Sequence, residues 1–566
     1  MPGQDRLSQD EESRSGPLFT EVSKESAAFD DITAPTQVLS SLHLPSTKII
    51  GDASSASKYP GRRAHNVDPQ NAYQGSGTDA DPFLVEFRQN DPDNARNFSP
   101  AKKWYTVFVV TMSVFAVTMT SSAYSGSAVE VKAEFNCSQE VYALGLALFV
   151  LGFAVGPPLW APLSELYGRT IWYKITHAVM VAFVAGCAGA KSIGSLLVFR
   201  FFAGAFGASP LSNSGGFIAD MFGPHERGVA MSMFSAAPFL GPLLGPMVGG
   251  FISETIGWRW VQGVMAIYIG IVWIVGSFTL SETYGPVILQ RKAKRLSKET
   301  GMKHISILVK DKGSAAVTNV FTKALRRPWV LLFREPIVLV GSTYLAILYG
   351  TLYMFMGAFP IIYQRLRGWD EGIGGLAFLG VAIGCLIALV YIFRDNTRYK
   401  AHGSKATPET RLPPAILGGV ILPISMFAFA WTSFPSIHWS ASIILSSGFG
   451  FGMVLIFISI LNYLVDSYTI YASSVMAATA MFRAFFGAAF PLFTSQMYNK
   501  LGIHWASSIP AFLTLVCMPF PLLMYKYGET VRLKCKYSKE AALLLAKMER
   551  ADEKRDGEDG SSEQEV

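Results

Sequence analysis

Between residues 104 and 526 the chain is a succession of apolar runs, each about 20 residues long and separated by short polar breaks. A helix rises 1.5 Å per residue, so about 20 apolar residues cross the roughly 30 Å hydrocarbon layer of a bilayer. That layer offers the backbone no water to bond with. A segment whose N–H and C=O groups are satisfied internally is the solution. Twelve segments meet the length requirement: 104–126, 141–162, 172–190, 195–219, 229–252, 258–280, 336–360, 374–393, 414–433, 439–465, 472–497 and 504–526. The expected fold class is an all-α membrane protein with twelve transmembrane helices. Composition agrees, because half of the 566 residues are apolar and 16% are charged, against about 25% charged in soluble domains.

The longest internal break divides the helices six and six. The expected domains are a disordered cytoplasmic tail at 1–100, a six-helix bundle at 101–281, a central cytoplasmic loop at 282–335, a second six-helix bundle at 336–527 and a charged tail at 528–566. Residues 1–80 and 549–566 are too polar to bury a core of their own. The central loop contains Gln290-Arg-Lys-Ala-Lys-Arg-Leu-Ser-Lys298. This segment suits either a basic helix lying on an anionic leaflet or a solvated loop rich in positive charge.

Lys and Arg resist translocation, so their placement orients the helices. With the N-terminus inside, the cytoplasmic loops hold Arg169, Lys174, Arg227, a cluster from Arg291 to Arg334, and a second group from Arg394 to Arg411, whereas the opposite loops hold about six cations. Both termini are expected in the cytoplasm. Topology accounts for the net charge of +7, and nucleic acid is not an expected partner. Residues 1–100 hold no apolar signal core behind a basic start, so the first span is expected to direct insertion. The five cysteines lack disulfide or metal-ligand spacing. Asn136-Cys-Ser138, in the first external loop, fits a glycosylation acceptor.

Chemistry concentrates in three stretches. The loop Gly156-Pro-Pro-Leu-Trp-Ala-Pro162-Leu-Ser-Glu165-Leu-Tyr-Gly168-Arg169 holds an acid and a base at the cytoplasmic mouth. Ion pairs broken and remade there would bias which side is open. In the fourth segment, Arg200-Phe-Phe-Ala-Gly204-Ala-Phe-Gly207 places an arginine about two turns inside an apolar helix. That position costs a few kcal/mol even on insertion scales, so Arg200 should face the bundle interior, either with a functional partner or bonded to helix carbonyls. Arg483 in the eleventh segment raises the same question. In the fifth segment, Gly241-Pro242-Leu-Leu-Gly245-Pro246-Met-Val-Gly249-Gly250 combines glycines at four-residue spacing, which admit a neighbouring backbone, with prolines that bend the helix.

These stretches resemble three signatures of the major facilitator superfamily: the loop between helices two and three, the embedded arginine of helix four, and the antiporter motif of helix five. Leu163, Glu165, Gly168 and Arg169 match the loop signature, while Ala161, Glu165 in place of Asp, Leu166 and Thr170 depart from it and lower its charge. Over roughly residues 81–530 the chain is similar to the fungal twelve-helix drug:proton antiporter branch, through Trp258-Arg-Trp260, Ser281-Glu-Thr-Tyr284, Arg334-Glu-Pro336, Asn462-Tyr-Leu-Val-Asp466-Ser-Tyr468 and Phe482-Arg483 onward to Phe493. Gly357 stands where many of that branch carry Glu, which removes a negative charge from the seventh helix. The resemblance implies the major facilitator fold and export of amphipathic molecules in exchange for protons by a monomer of the plasma membrane. It needs no cofactor beyond the proton gradient.

Coupling candidates carried by the resemblance and by charge are Arg200, Asp220, Glu165, Arg169, Arg227 and Arg483. His177 is either a titrating group or a packing residue. Aromatic side chains at Tyr344, Tyr349, Tyr353, Phe355, Phe482 and Phe486 suit a large apolar cargo or, equally, core packing. An importer or facilitator of a specific nutrient or organic anion is the competing expectation, against which the fifth-helix motif speaks. No nucleophile elbow, metal cluster or phosphate-binding loop is present in the sequence, so catalysis and direct ATP use are not expected.

Overall fold

A computed structural model of the chain describes residues 73, 75–88, 90–223, 226–307, 317–401 and 407–543. Most of the N-terminal tail, the charged C-terminal tail from 544, part of the central loop and positions 224–225 lie outside the described residues.

The expected all-α membrane architecture is present. The helices that fall in the expected spans are α1 (Pro100–Ala123), α2 (Gln139–Tyr167), α3 (Arg169–Ala188), α4 (Ile193–Met221), α5 (Arg227–Ile256), α6 (Trp258–Thr279), α7 (Pro336–Phe359), α8 (Phe378–Ala401), α9 (Pro413–Thr432), α10 (Trp439–Ser467), α11 (Ala472–Cys517) and α12 (Pro519–Lys534). Local sequence fixes their ends. Ser99 accepts a hydrogen bond from the Lys102 N–H at 3.4 Å with Pro100 in the first turn of α1, and Ser138 accepts from Val141 N–H at 3.3 Å to open α2. Ser192 and Ser195 cap α4 reciprocally. Gly168 at φ 105° and Gly257 at φ 96° each separate two helices by a single residue, a backbone geometry that side chains with a Cβ rarely adopt.

Eleven runs among the described residues are long and apolar enough to cross a membrane, against the twelve segments read from the sequence. The difference lies in one run, Thr469–Lys534, whose 66 residues far exceed a single crossing. Gly502, at φ 73° and ψ 174°, interrupts α11 between 472–501 and 503–517. The Tyr498 hydroxyl lies 2.7 Å from Ser507 Oγ. In a straight helix these residues would sit about 13 Å apart along the axis, with the tyrosine leaning the other way. The chain therefore bends back at Gly502.

Residues 83–98 depart from the disordered tail expected before residue 100. Strand β1 (Phe83–Val85) pairs in parallel with β2 (His304–Ser306) in the central segment. The basic stretch forms the helix Gly285–Thr300, whose buried Leu289 and Ala293 pack with Val85. Protein thus covers the apolar face that could have rested on a leaflet, and Arg291, Lys294, Arg295 and Lys298 point outward. Lys292 Nζ bonds Asp91 Oδ2 at 2.6 Å. Burial alone would raise the Asp91 carboxyl, but Lys292 and the Asp93 N–H hold it below the ordinary carboxylate value.

Candidate functional site

The ends of α1 and α12 that carry the tails define one face of the molecule, here the tail face; the other is the far face. α1–α6 and α7–α12 meet along a seam, and a chain of polar groups runs through it inside the membrane-spanning region. Arg200 on α4 is fully buried and donates from Nε to the Gly145 carbonyl at 2.6 Å and from Nη2 to the Ser121 carbonyl at 2.8 Å. Its guanidinium carbon lies 4.2 Å from the Tyr124 ring centroid and 4.9 Å from that of Phe149. Ser121 Oγ is 2.8 Å from the Tyr353 hydroxyl of α7, a bond that crosses the seam. One turn nearer the tail face, the Tyr349 hydroxyl donates to Tyr353 at 3.5 Å. Arg483 of α11 stands 4.9 Å from the Tyr349 ring centroid and 4.8 Å from that of Phe457.

Helix carbonyls thus satisfy two of the Arg200 nitrogens, as one of the two sequence readings allowed. Nη1, however, is buried without a hydrogen-bond partner. An unsatisfied charged donor in this setting is costly. Arg200 links α1, α2 and α4 at the depth where α1 touches α7, so a rearrangement of the seam reaches it directly through Ser121.

At the tail face the loop residues assemble into a clamp. Arg169, first residue of α3, donates from Nε to Asp220 Oδ2 at 2.6 Å near the end of α4, with both side chains about one-tenth exposed. Thr283 Oγ1 donates to the same Asp220 oxygen at 3.0 Å. The Glu282 carboxylate accepts from the backbone N–H groups of Arg169 at 2.9 Å and Thr170 at 3.3 Å, which caps the start of α3 and complements its dipole. The Arg169 guanidinium carbon also lies 5.1 Å from the Tyr284 ring centroid. Burial, with the Glu165 charge adding to it, pushes the Tyr284 hydroxyl above its ordinary value. Glu165 is exposed beside this cluster, and Arg227 donates to the Ala219 carbonyl at 3.0 Å at the end of α4. The structure therefore gathers Glu165, Arg169, Asp220 and Arg227 on one face.

The second half repeats the pattern. Arg411, just before α9, donates from Nε to Asp466 Oδ2 at 3.0 Å, one residue from the end of α10, and packs 3.3 Å from the Tyr399 ring centroid. Glu335 accepts from the Tyr468 hydroxyl at 2.8 Å and from the Tyr537 N–H at 3.1 Å. Glu282, Asp466 and Glu335 are not among the residues singled out from the sequence, although each lies in a stretch that carried the resemblance. An acid at a helix end reads as ordinary solvated charge until its partner is in place.

The glycine motif of α5 has two faces. A Cβ at Gly241 would collide with Thr118 Oγ1, one at Gly245 with Ser122 Oγ, and one at Gly249 with the Ala123 carbonyl, so one stripe of α5 lies directly on α1. Thr118 Oγ1 also donates to the Ala237 carbonyl at 3.2 Å. Gly250 looks elsewhere: its Cβ would stand 2.5 Å from the Glu371 carbonyl, across the seam. Pro242 and Pro246 sit inside this helix without ending it. On the same far-face seam, Glu371 accepts from Val129 N–H at 3.4 Å and Glu254 accepts from Gly372 N–H at 3.1 Å.

The remaining residues separate. His177 is buried, bonds the Tyr173 carbonyl through Nδ1 at 2.9 Å and stacks on the Tyr173 ring, with Nε2 unpartnered. Tyr349 and Tyr353 reach the seam. Tyr344 is buried with Gly419 nearby, and Phe355 packs against the rings of Phe429 and Phe449, so both pack inside α7–α12. Phe482 and Phe486 pack on each other with centroids 5.2 Å apart, both half-buried. Asn136 is exposed at φ 45° beyond the helix Ala128–Phe135, while the hydroxyl of Ser138 is engaged in capping α2. Among the described residues no cluster of His, Cys, Asp and Glu could hold a metal ion.

Residues 110–491 match the family described as Major Facilitator Superfamily. The chain is 60% identical to "Major facilitator-type transporter sorT" of Penicillium rubens, over 85% of this chain and 94% of that protein. It is 56% identical to "MFS-type efflux pump MFS2" of Trichophyton rubrum, over 85% and 81% of the two chains. It is 52% identical to "Major facilitator superfamily multidrug transporter mdrA" of Aspergillus fumigatus, over 84% and 79%. A solved structure of the xylose transporter XylE from E. coli shares the fold, with a TM-score of 0.56 at 17% identity, covering 75% of this chain and 98% of that one.

Proposed function

The chain belongs to the Major Facilitator Superfamily, and from that premise we propose that it exports amphipathic small molecules across the plasma membrane in exchange for protons. The observation that carries this reading is the long, close similarity to proteins named efflux pump and multidrug transporter. The geometry gives it a means. Among the described residues, two uncharged contacts join the halves within the span, Ser121 with Tyr353 and Ser125 with the Met356 sulfur at 4.0 Å, and the far-face seam is held by Glu371, Glu254 and the bare backbone at Gly250. Such weak contacts can be broken and remade as two bodies rock. The Arg169–Asp220 and Arg411–Asp466 clamps, in contrast, keep each half intact. The Lys and Arg asymmetry of the loops supports a tail face, with both termini, on the cytoplasmic side.

Proton exchange requires a group that titrates within reach of the seam. Asp220 and Glu165, with Arg169 beside them, are the acidic candidates at the tail face, and Arg200 is the residue through which the seam is sensed. The cargo is either a foreign compound or a metabolite that the producing cell must expel. The test is accumulation of a fluorescent amphipathic dye in a drug-sensitive host. Expression lowers accumulation, and a protonophore restores it. Unchanged accumulation across a broad compound panel defeats the exporter reading, and export that persists with the gradient collapsed defeats proton exchange.

A further inference from the structure

We propose that the cargo is an amphipathic organic monoanion and that Arg483 receives its charged group; the assignment rests on the exporter reading and names the cargo class for that same seam.

Arg483 sits eleven residues into α11, about 16 Å from the start of the helix at the tail face. Its guanidinium is flanked by the rings of Tyr349 from α7 and Phe457 from α10. Phe457 in turn meets Phe239 of α5 edge to face at 4.8 Å, so the aromatic wall beside the group continues across the seam into the other half. Among the described residues no hydrogen bond or ion pair reaches it. Arg200 shares the aromatic flanks but differs in its bonding: it is fully buried and two backbone carbonyls occupy it. Arg483 is half-buried, and no described residue accepts a hydrogen bond from its five N–H donors.

The surroundings supply no counter-charge. The Asp and Glu residues of the described spanning helices all lie within about two turns of a helix end, as Asp220, Glu254, Asp395 and Asp466 do. A permanent cation held at this depth by aromatic faces alone is expensive. A ligand carrying a carboxylate would relieve it, because guanidinium and carboxylate bond through two parallel N–H···O contacts. The aromatic walls of Tyr349, Phe457 and Phe239 suit the apolar body of the same molecule. A cationic cargo would meet Arg483 with no carboxylate in between.

The experiment is isothermal titration of the purified full-length protein with 4-phenylbutyrate, its methyl ester and 4-phenylbutylamine, three probes that share a body and differ in charge. The acid should bind at least tenfold more tightly than the ester or the amine. Arg483→Gln should bring the ratio of acid to ester near one, and Arg483→Lys should keep part of the preference. Equal or stronger binding of the ester or amine by the unmodified protein overturns the assignment, as does an undiminished acid preference in Arg483→Gln. If Arg483→Gln does not fold, the probe series on the unmodified protein and on Arg483→Lys decides alone. Transport of the same probes in vesicles separates the two claims. Export without preference for the acid removes the anion class and leaves the exporter, whereas acid-selective binding without outward movement removes the exporter and leaves the class.

Discussion

Asp220 shows how much one carboxylate organises. It takes the Arg169 guanidinium at 2.6 Å and the Thr283 hydroxyl at 3.0 Å, and so ties the start of α3, the end of α4 and the segment after α6 into one corner. Both partners of the pair are largely withdrawn from solvent. Removing one charge from such a pair leaves the other uncompensated, at a cost of about 3–5 kcal/mol. Asp220→Asn should therefore lower the thermal unfolding temperature of the purified protein and reduce transport at least tenfold, while Glu165→Gln, at an exposed site, should barely move the unfolding temperature. Equal unfolding temperatures for Asp220→Asn and the unmodified chain would show that the corner is held by other contacts. The sequence made Asp220 and Arg169 conspicuous. It left Glu282 unremarked, because a carboxylate that caps a helix through backbone N–H groups has no partner recognisable by residue type.

At the scale of elements, α5 is the helix whose sequence and structure agree most closely. Glycines at 241, 245 and 249 recur every four residues and fall on one stripe, and that stripe is where α1 lies, close enough that any Cβ strikes backbone or hydroxyl atoms. Packing of this closeness depends on dispersion contacts, about a quarter to a half of whose attraction is lost to a gap of about 0.5–1 Å. Gly249→Leu should separate α5 from α1 and abolish transport, with surface expression retained; normal export in that variant would reduce the motif to one packing solution among several. α11 agrees in a different way: the break between the expected spans 472–497 and 504–526 contains Gly502, the one residue at φ 73° and ψ 174°, where the chain turns back. Hydropathy marks the reversal by that short break, and a single glycine accomplishes it.

For the whole molecule, the decisive question is how firmly the halves hold each other. The seam bond between Ser121 and Tyr353 is buried and joins uncharged groups, so it contributes about 0.5–1.5 kcal/mol, enough to bias two arrangements about two- to tenfold. Tyr353→Phe should shift the population toward a state open at the far face. Spin labels at the exposed positions Asn136 and Lys500 would report this as a longer distance component in pulsed dipolar spectra. An unaltered distance distribution would mean that the far-face contacts at Glu371 and Glu254 set the balance instead.

The sequence by itself determined the membrane class, the approximate spans, the depth of Arg200 and Arg483, and the glycine stripe. Each of these depends on properties that repeat along one helix: length, hydropathy and four-residue spacing. It also gave both outcomes for Arg200, function or carbonyl bonding, without choosing. Only the tertiary structure decided which residues from distant helices meet. It brought Ser121 to Tyr353 over 232 positions and Arg169 to Asp220 over 51. It turned Tyr344 and Phe355 inward, away from the seam where Tyr349 and Tyr353 stand, and it covered the basic central helix with a strand from the N-terminal tail. The physical reason is that aromatic and apolar side chains look alike on every face of a helix immersed in lipid. Which face becomes a seam depends on the helix that packs against it.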